Sequence, residues 1–162
     1  GFEVNLKYAF DIEGPGIILN EAPLEMMLKY RQLCAKDKEA GGQLFARFEG
    51  KDTFVTDATS PKPLDVRKRF GFKPNQWIQR LDIRAKYLLG RHFVGDWHTH
   101  PEPIPSPSQV DLNSASESFK QSRHQLKAFL MIIMGTEPPP AGLAVYLVDN
   151  SGFRRLDCVS HP

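Results

Sequence analysis

At 162 residues and 18.4 kDa the chain has the size of one ordinary domain, able to bury about two thirds of its unfolded surface without disulfide or metal staples, so a single domain over residues 1–162 is expected. Lysine plus arginine number 21 against 19 aspartate plus glutamate, a net +2, which gives no reason to expect nucleic acid or an anionic membrane as main partner. With 41% hydrophobic and 25% charged residues the composition is that of a soluble globular protein and excludes disorder over most of the length.

The first helical pattern starts at Pro23: Leu24, Met27, Leu28, Tyr30, Arg31 and Leu33 recur at near-helical spacing until Gly41-Gly42 stops them, and a proline suits a first helical turn. Gln43–Phe48 and Thr53–Ala58 read as strands of a hairpin turned by Glu49-Gly50-Lys51-Asp52. Ser60–Pro74 holds three prolines and five basic residues and reads as a long exposed connection. Asn75–Leu89 gathers Trp77, Ile78, Leu81, Ile83, Ala85, Leu88 and Leu89 on one helical face. His92–His98 is then a strand. Pro101, Pro103, Pro105 and Pro107 fall on every second residue and force a stiff extended loop. A helix from Ser108 to about Arg123 follows. Strands Leu126–Met134 and Gly142–Val148 flank Pro138-Pro139-Pro140, and a turn at Asn150-Ser151-Gly152 leads into a last strand, Phe153–Val159. This order defines an α/β domain with a mixed sheet.

Two negative findings narrow the setting. Cys34 and Cys158 support neither a disulfide framework nor a cysteine zinc site, so a reducing, cytoplasmic setting with two buried thiols is expected. The longest apolar run, Ala128–Met134, is far short of the roughly 20 residues of a membrane helix, and no basic stretch leads into an apolar one near Gly1, so neither a secretory signal nor a membrane partner is expected.

The stretch from Trp97 to Asp111 carries the chemistry. His98 and His100 sit two apart at a strand end, and the period of two points both imidazoles to one side, where two nitrogens can reach one ion. Asp111, arriving after the proline loop in the first turn of a helix, can supply a third ligand. Two histidines and one carboxylate leave a position for water, the pattern of a catalytic zinc, so one Zn2+ per chain is expected. Each residue alone has a plainer reading: Ser108 and Asp111 also make a helix capping box with aspartate in place of glutamate, and a lone strand-end histidine is ordinarily a surface or core residue. The combination decides for the metal, because His-x-His-x(7)-Ser-x-x-Asp arises by chance in roughly 0.0005 of chains of this composition.

With Trp97 before it and Pro101 after it, the motif resembles the JAMM signature of the MPN (JAB) zinc metalloproteases, which hydrolyse isopeptide or peptide bonds after ubiquitin and ubiquitin-like tails. The resemblance covers most of the chain, since helix, glutamate-bearing hairpin, His-x-His strand and Ser-x-x-Asp helix come in that family's order. It implies a cytidine deaminase-like MPN/JAB domain, a mixed curved sheet flanked by helices. Trp97-His-Thr-His-Pro with Pro105-Ser-Pro-Ser is most similar to the compact bacterial branch associated with integrative and conjugative elements, which includes the deconjugating peptidases of CBASS anti-phage operons. The partners so implied are a ubiquitin-like modifier or its conjugate, with a ubiquitin-transfer enzyme homologue or a conjugated nucleotidyltransferase. The family also needs an upstream glutamate to orient and deprotonate the attacking water. Glu39, in Lys-Glu-Ala-Gly-Gly-Gln-Leu-Phe at the end of the first helix, stands where the family places it, whereas Glu25 falls inside that helix without the glycine-strand context. Gly41-Gly42-Gln43 departs from the single glycine and aliphatic residue of many family members, which bears on the local backbone only. By the same resemblance, Ser108 donates a hydrogen bond to the tetrahedral oxyanion.

The remaining candidates are weaker. Glu102 reads as an exposed rim charge, and His92, His124 and His161 as ordinary histidines. Trp97 is expected in the core beneath the metal and Asp96 as a hydrogen-bond partner of a ligand histidine. Arg67, Lys68 and Arg69, with Lys62 and Lys73, form an expected remote surface for acidic groups on the modifier or its target. Two other readings compete. A RadC-like JAB protein of DNA-repair or mobile-element context shares His-x-His-Pro and Pro-Ser-x-x-Asp, but its helix-hairpin-helix segment is not among these 162 residues. A non-catalytic MPN scaffold usually lacks the ligands, and this chain keeps all three and the glutamate.

Overall fold

The structure, a computed structural model, describes residues 5–122 and 127–160. Strands β1 (Leu6–Ala9) and β2 (Ile17–Leu19) precede helix α1 (Glu21–Leu28). The hairpin β3 (Gly41–Glu49) and β4 (Asp52–Ala58) follows, then a small hairpin of β5 (Val66–Lys68) and β6 (Gly71–Lys73), and helix α2 (Gln76–Leu88). Strand β7 (His92–Thr99), helix α3 (Gln109–Ser122) and strands β8 (Phe129–Met134), β9 (Leu143–Asp149) and β10 (Gly152–Ser160) complete the order.

The mixed sheet of the sequence reading closes on itself. Eight strands form a barrel in the order β1-β10-β9-β8-β7-β3-β4-β2, with β1 pairing β2 to close the ring. Only β2–β4 and β7–β8 run parallel. The expected curved sheet flanked by helices is corrected to that extent, because β1 and β2 were not anticipated: they are too short to show a period of their own. Six consecutive apolar residues make β8, and all six are buried. Leu130, Ile132 and Met134 join the inner cluster with Leu44, Val55, Trp97 and Val145, while Phe129, Met131 and Ile133 meet Ala115 and Phe119 of α3 on the outer face. A strand covered on both sides reads as a continuous apolar run, and each such side chain contributes about 1.5–3 kcal/mol of burial.

The helices depart furthest from expectation. α1 ends at Leu28, and Lys29–Ala40 carries no helix or strand. Its cap is Asn20 and Pro23 is the third helical residue, where the missing N–H has no helical partner in any case. Tertiary contacts override the helical spacing beyond Leu28: Tyr30 packs on Trp97 with ring centroids 6.1 Å apart, and Gln32 is buried. Glu39 therefore stands in an irregular segment, not at a helix end. Ser60–Pro74 is likewise more than a solvated connection, since it contains the β5–β6 hairpin. Cys34 is exposed and Cys158 half-buried, so neither is the buried thiol expected. Among the described residues no helix is long and apolar enough to cross a membrane.

Helix α2 forms where the periodicity placed it, yet none of its residues is buried and Trp77, Leu81 and Leu88 face solvent. Polar ties hold it instead. Asn75 Oδ1 accepts from the Ile78 N–H as the N-cap, Lys62 and Asp82 lie 3.7 Å apart, and Asp57 of β4 meets Lys86 at 3.7 Å and Arg91 at 2.6 Å. Burial works to raise the Asp57 carboxyl, and the Arg91 guanidinium with the Thr56 hydroxyl and the Lys86 ammonium outweighs it, holding Asp57 below its ordinary 3.8. A lowered carboxyl stabilises the fold above its ordinary value and stops doing so as pH falls through the lowered one. Asp57→Asn should thus cost about 1 kcal/mol or less at neutral pH, given the partly exposed partners, and the two proteins' denaturant melts should converge in acid below pH 3.8.

Candidate metal centre

The carboxyl end of β7 lies between β3 on one side and β8 on the other, with Gly41 opposite His98 across one ladder and Ile133 across the other. The chain leaving β7 crosses the proline loop and enters α3, so a strand end and the following helix start meet at one point, the usual location of a site in parallel β-α-β units. Asp111, Ala115 and Phe119 are four residues apart and share one helical face. Because Ala115 and Phe119 pack against the outer face of the sheet, that face also delivers Asp111. The loop between is pinned on β8: Thr136 N–H donates to Glu102 O at 2.9 Å and Glu137 N–H to Pro103 O at 3.2 Å. Gly135 allows this approach, since a Cβ there would lie 2.5 Å from Glu102 O.

His98, His100, Asp111 and Glu39 converge, each offering a ligand atom within 4.8 Å of the others. The two imidazole rings are 4.9 Å apart. His98 Nε2 lies 3.2 Å from Asp111 Oδ1 and His100 Nε2 3.0 Å from Asp111 Oδ2. Although Asp111 Oδ1 is that close, buried His98 Nε2 makes no aligned hydrogen bond among the described residues, a deficit that a bound ion would remove. Two imidazole nitrogens with carboxylate oxygens are a donor set that suits a divalent metal ion, and the residues fit one. Ser108 and Asp111 also form the reciprocal cap: Ser108 N–H donates to Asp111 Oδ2 at 2.8 Å, and Asp111 N–H donates to Ser108 Oγ at 3.1 Å.

The charges of the cluster pull against one another. Burial pushes the Glu39 carboxyl up to about 7, with His100 lowering it and Asp111 adding to the rise. Burial disfavours charged His100, but hydrogen bonds to Asp111 and Glu102 outweigh it and lift the ring to about 9. Asp111 is held well below the carboxylate range by His100, His98 and the Ser108 amide in spite of its burial.

The profile of prokaryotic homologs of the JAB domain matches residues 22–147. The chain belongs to this family. Curated relatives of this JAB protein include proteins named CD-NTase/cGAS isopeptidase. The one from Pseudomonas aeruginosa (strain BWHPSA011 / Pa011) is 30% identical over 136 residues, covering 82% of this chain and 83% of the relative. The one from Escherichia coli (strain TW11681) is 27% identical over 136 residues, covering 82% and 78%. Among solved structures, protein DSY2949 from Desulfitobacterium hafniense shares the fold with a TM-score of 0.63 and 22% identity, covering 85% of this chain and 87% of its own.

Around the JAB centre several residues sit otherwise than expected. Glu102 is a rim charge, its side chain 45% exposed, but one with a partner: its Oε1 lies 2.9 Å from His100 Nδ1, which leaves Nε2 of that ring for Asp111 and a metal. A carboxylate two residues beyond a ligand histidine was the available signal. Asp96 does not partner a histidine, since its Oδ1 has no hydrogen-bond partner and burial pushes it up to about 7. Glu25 is exposed on α1 and stands outside the cluster. His92 lies between the rings of Phe48 and Tyr87, while His124 and His161 fall outside the described residues. Trp97 is in the core as expected, 1% exposed. The surface expected to be remote, Arg67 to Arg69, is in fact laid against the Glu39 segment. Arg67 Nε–H donates to Glu39 O at 3.1 Å and its guanidinium covers Tyr30; Glu39 N–H donates to Lys68 O at 2.5 Å; Arg69 reaches the carbonyls of Cys34 and Ala35. Lys68 alone of the three points its charge at solvent.

An outer carboxylate that fixes a ligand histidine is typically worth 10–100-fold in metal affinity. Glu102→Ala should weaken binding by about that factor in a titration against a chromophoric chelator. Unchanged affinity would return Glu102 to the surface charge it resembles in the sequence.

Proposed function

We propose that this chain is a zinc-dependent isopeptidase that hydrolyses the bond following the C-terminal tail of a ubiquitin-like modifier, with a conjugated nucleotidyltransferase as partner, in a bacterial anti-phage pathway of the CBASS type. The observation that carries the reading is the convergence of Glu39, His98, His100 and Asp111 on one point. The name borne by the relatives, CD-NTase/cGAS isopeptidase, supports the bond type and the setting.

His98, His100 and Asp111 would hold the zinc and leave Glu39 for acid-base work. Bound there, zinc would lower the pKa of water toward neutrality and polarise the scissile carbonyl. Glu39 takes the proton of the attacking water as the new C–O bond forms. The same carboxyl gives that proton to the leaving lysine nitrogen as the C–N bond breaks. Burial lifts this carboxyl in the metal-free cluster, and a bound cation would draw it back toward the charged form that accepts the proton of water. Ser108 Oγ uses a lone pair on the Asp111 N–H, so its hydrogen stays available for the oxyanion, a contact worth about 2.7–4 kcal/mol of barrier.

Glu39→Gln should keep its zinc, measured by elemental analysis, while kcat on an isopeptide conjugate of a CD-NTase drops about 100-fold or more. Normal turnover by that variant would place the base elsewhere. The hairpin adds a separate expectation. Replacing Arg67, Lys68 and Arg69 together by serine should slow a short tail peptide and a full conjugate alike, since Arg67 holds the Glu39 carbonyl and Arg69 the Ala35 carbonyl of the same irregular segment. Lys68→Ser alone should slow only the conjugate, and most at low salt; an equal loss on the short peptide would make Lys68 part of the same scaffold.

A further inference from the structure

Gln32 is a buried amide whose partners come from three separate parts of the chain. It lies in the irregular Lys29–Ala40 segment and is 3% exposed. Its Oε1 accepts from Thr99 Oγ1 at 2.8 Å. Its Nε2 donates to Asp37 O at 3.2 Å and to Arg69 O at 2.8 Å, so both amide hydrogens are used. Thr99, fully buried, stands between His98 and His100. Its hydroxyl in turn accepts from Ala40 N–H at 2.9 Å, and Ala40 is the residue after Glu39. The backbone of Thr99 adds a second tie, donating to Ala40 O at 2.9 Å. Glu39 itself is gripped at both backbone groups by Arg67 and Lys68 of β5.

The ligand histidines and Glu39 thus reach the site by unlike means. β7 is held by full ladders to β3 and β8, whereas Glu39 rides on a segment without regular structure. What fixes that segment against β7 is a chain of bonds from Ala40 through Thr99 to Gln32, and from Gln32 to the β5–β6 turn. We propose that Gln32, relayed by Thr99, is the positioning residue that holds the Glu39 carboxylate in register with His98 and His100. The inference rests on the reading of Glu39 as the base. Without the amide, Glu39 shifts while the ladders keep the histidines in place, so turnover falls and metal binding does not; misplacing a reacting group by about 1 Å costs on the order of 100-fold.

The test uses the full chain, zinc content, melting temperature, and kcat and KM on an isopeptide conjugate of a CD-NTase. Gln32→Met, close in volume but without the amide, should lower kcat 10- to 100-fold, with KM and zinc content unchanged. Thr99→Val should do the same and Thr99→Ser, which keeps the hydroxyl, should restore most of the rate. On the Glu39→Gln background Gln32→Met should cause no further drop, because residues acting through one another are not additive. A further drop of the same size there, or loss of zinc in Gln32→Met, would overturn the proposal in favour of a general support role, as would a wild-type kcat in Gln32→Met. Should Gln32→Met not fold, the Thr99→Val and Thr99→Ser pair decides alone: equal rates for the two would refute the relay. Full activity of Glu39→Gln by itself would instead refute the base assignment, a separate outcome.

Discussion

The ladder joining β3, β7 and β8 is the constraint on which the site depends. Side chains on a strand alternate faces, so a slip of one residue would turn His98 inward and Trp97 outward. The register is held by apolar residues that have no part in chemistry: Trp97, Leu44, Leu130 and Ile132 on the inner side, Met131 and Ile133 on the outer. Helix α3 obeys the same logic, its phase set by Ala115 and Phe119. Hydrophobic packing thereby determines where the nitrogens and oxygens of the centre lie, and the site itself carries little of the folding energy.

Electrostatics in the centre is divided: the low Asp111 carboxyl and the lifted His100 ring mark favourable pairing, whereas buried Glu39 costs free energy when charged. Glu39, Asp111 and Glu102 crowd two imidazoles, Glu39 is pushed upward by burial and further by Asp111, and buried His98 Nε2 has the Asp111 carboxylate 3.2 Å away without an aligned hydrogen bond. Arrangements of this kind cost free energy in a bare protein and are found where function demands them. A divalent cation would relieve both defects, by giving His98 Nε2 an aligned partner and by offsetting the carboxylate repulsion.

The motif residues were legible in the sequence because strand period, a rigid proline loop and a helix start jointly dictate where His98, His100 and Asp111 go. The β3–β4 hairpin, β7, α3 and β9 were legible from periodicity and turn residues. Helix α1 was read too long, since Tyr30 follows helical spacing but answers to Trp97. β1 and β2 were unread because strands of four and three residues show no pattern until they pair. Glu102 was read only as a rim charge because nothing local announces that His100 turns its Nδ1 toward it. Two of the three bonds of Gln32, to Arg69 and Thr99, join segments far apart in sequence, and such convergence exists only in the fold.

Closure of the ring has a consequence for solubility. A segment such as Phe129–Met134, apolar on both faces and without a charge or proline, is the kind that templates stacked sheets when its edge is open. Here it is the fourth strand of an endless sheet, hydrogen-bonded on both sides. The pieces that leave the sheet without an edge are β1 and β2, which contribute no residue to the candidate metal centre: β1 covers β10 and β2 covers β4. Short, unremarkable strands near the amino end thus serve as the seal that leaves so apolar a centre without an open strand edge.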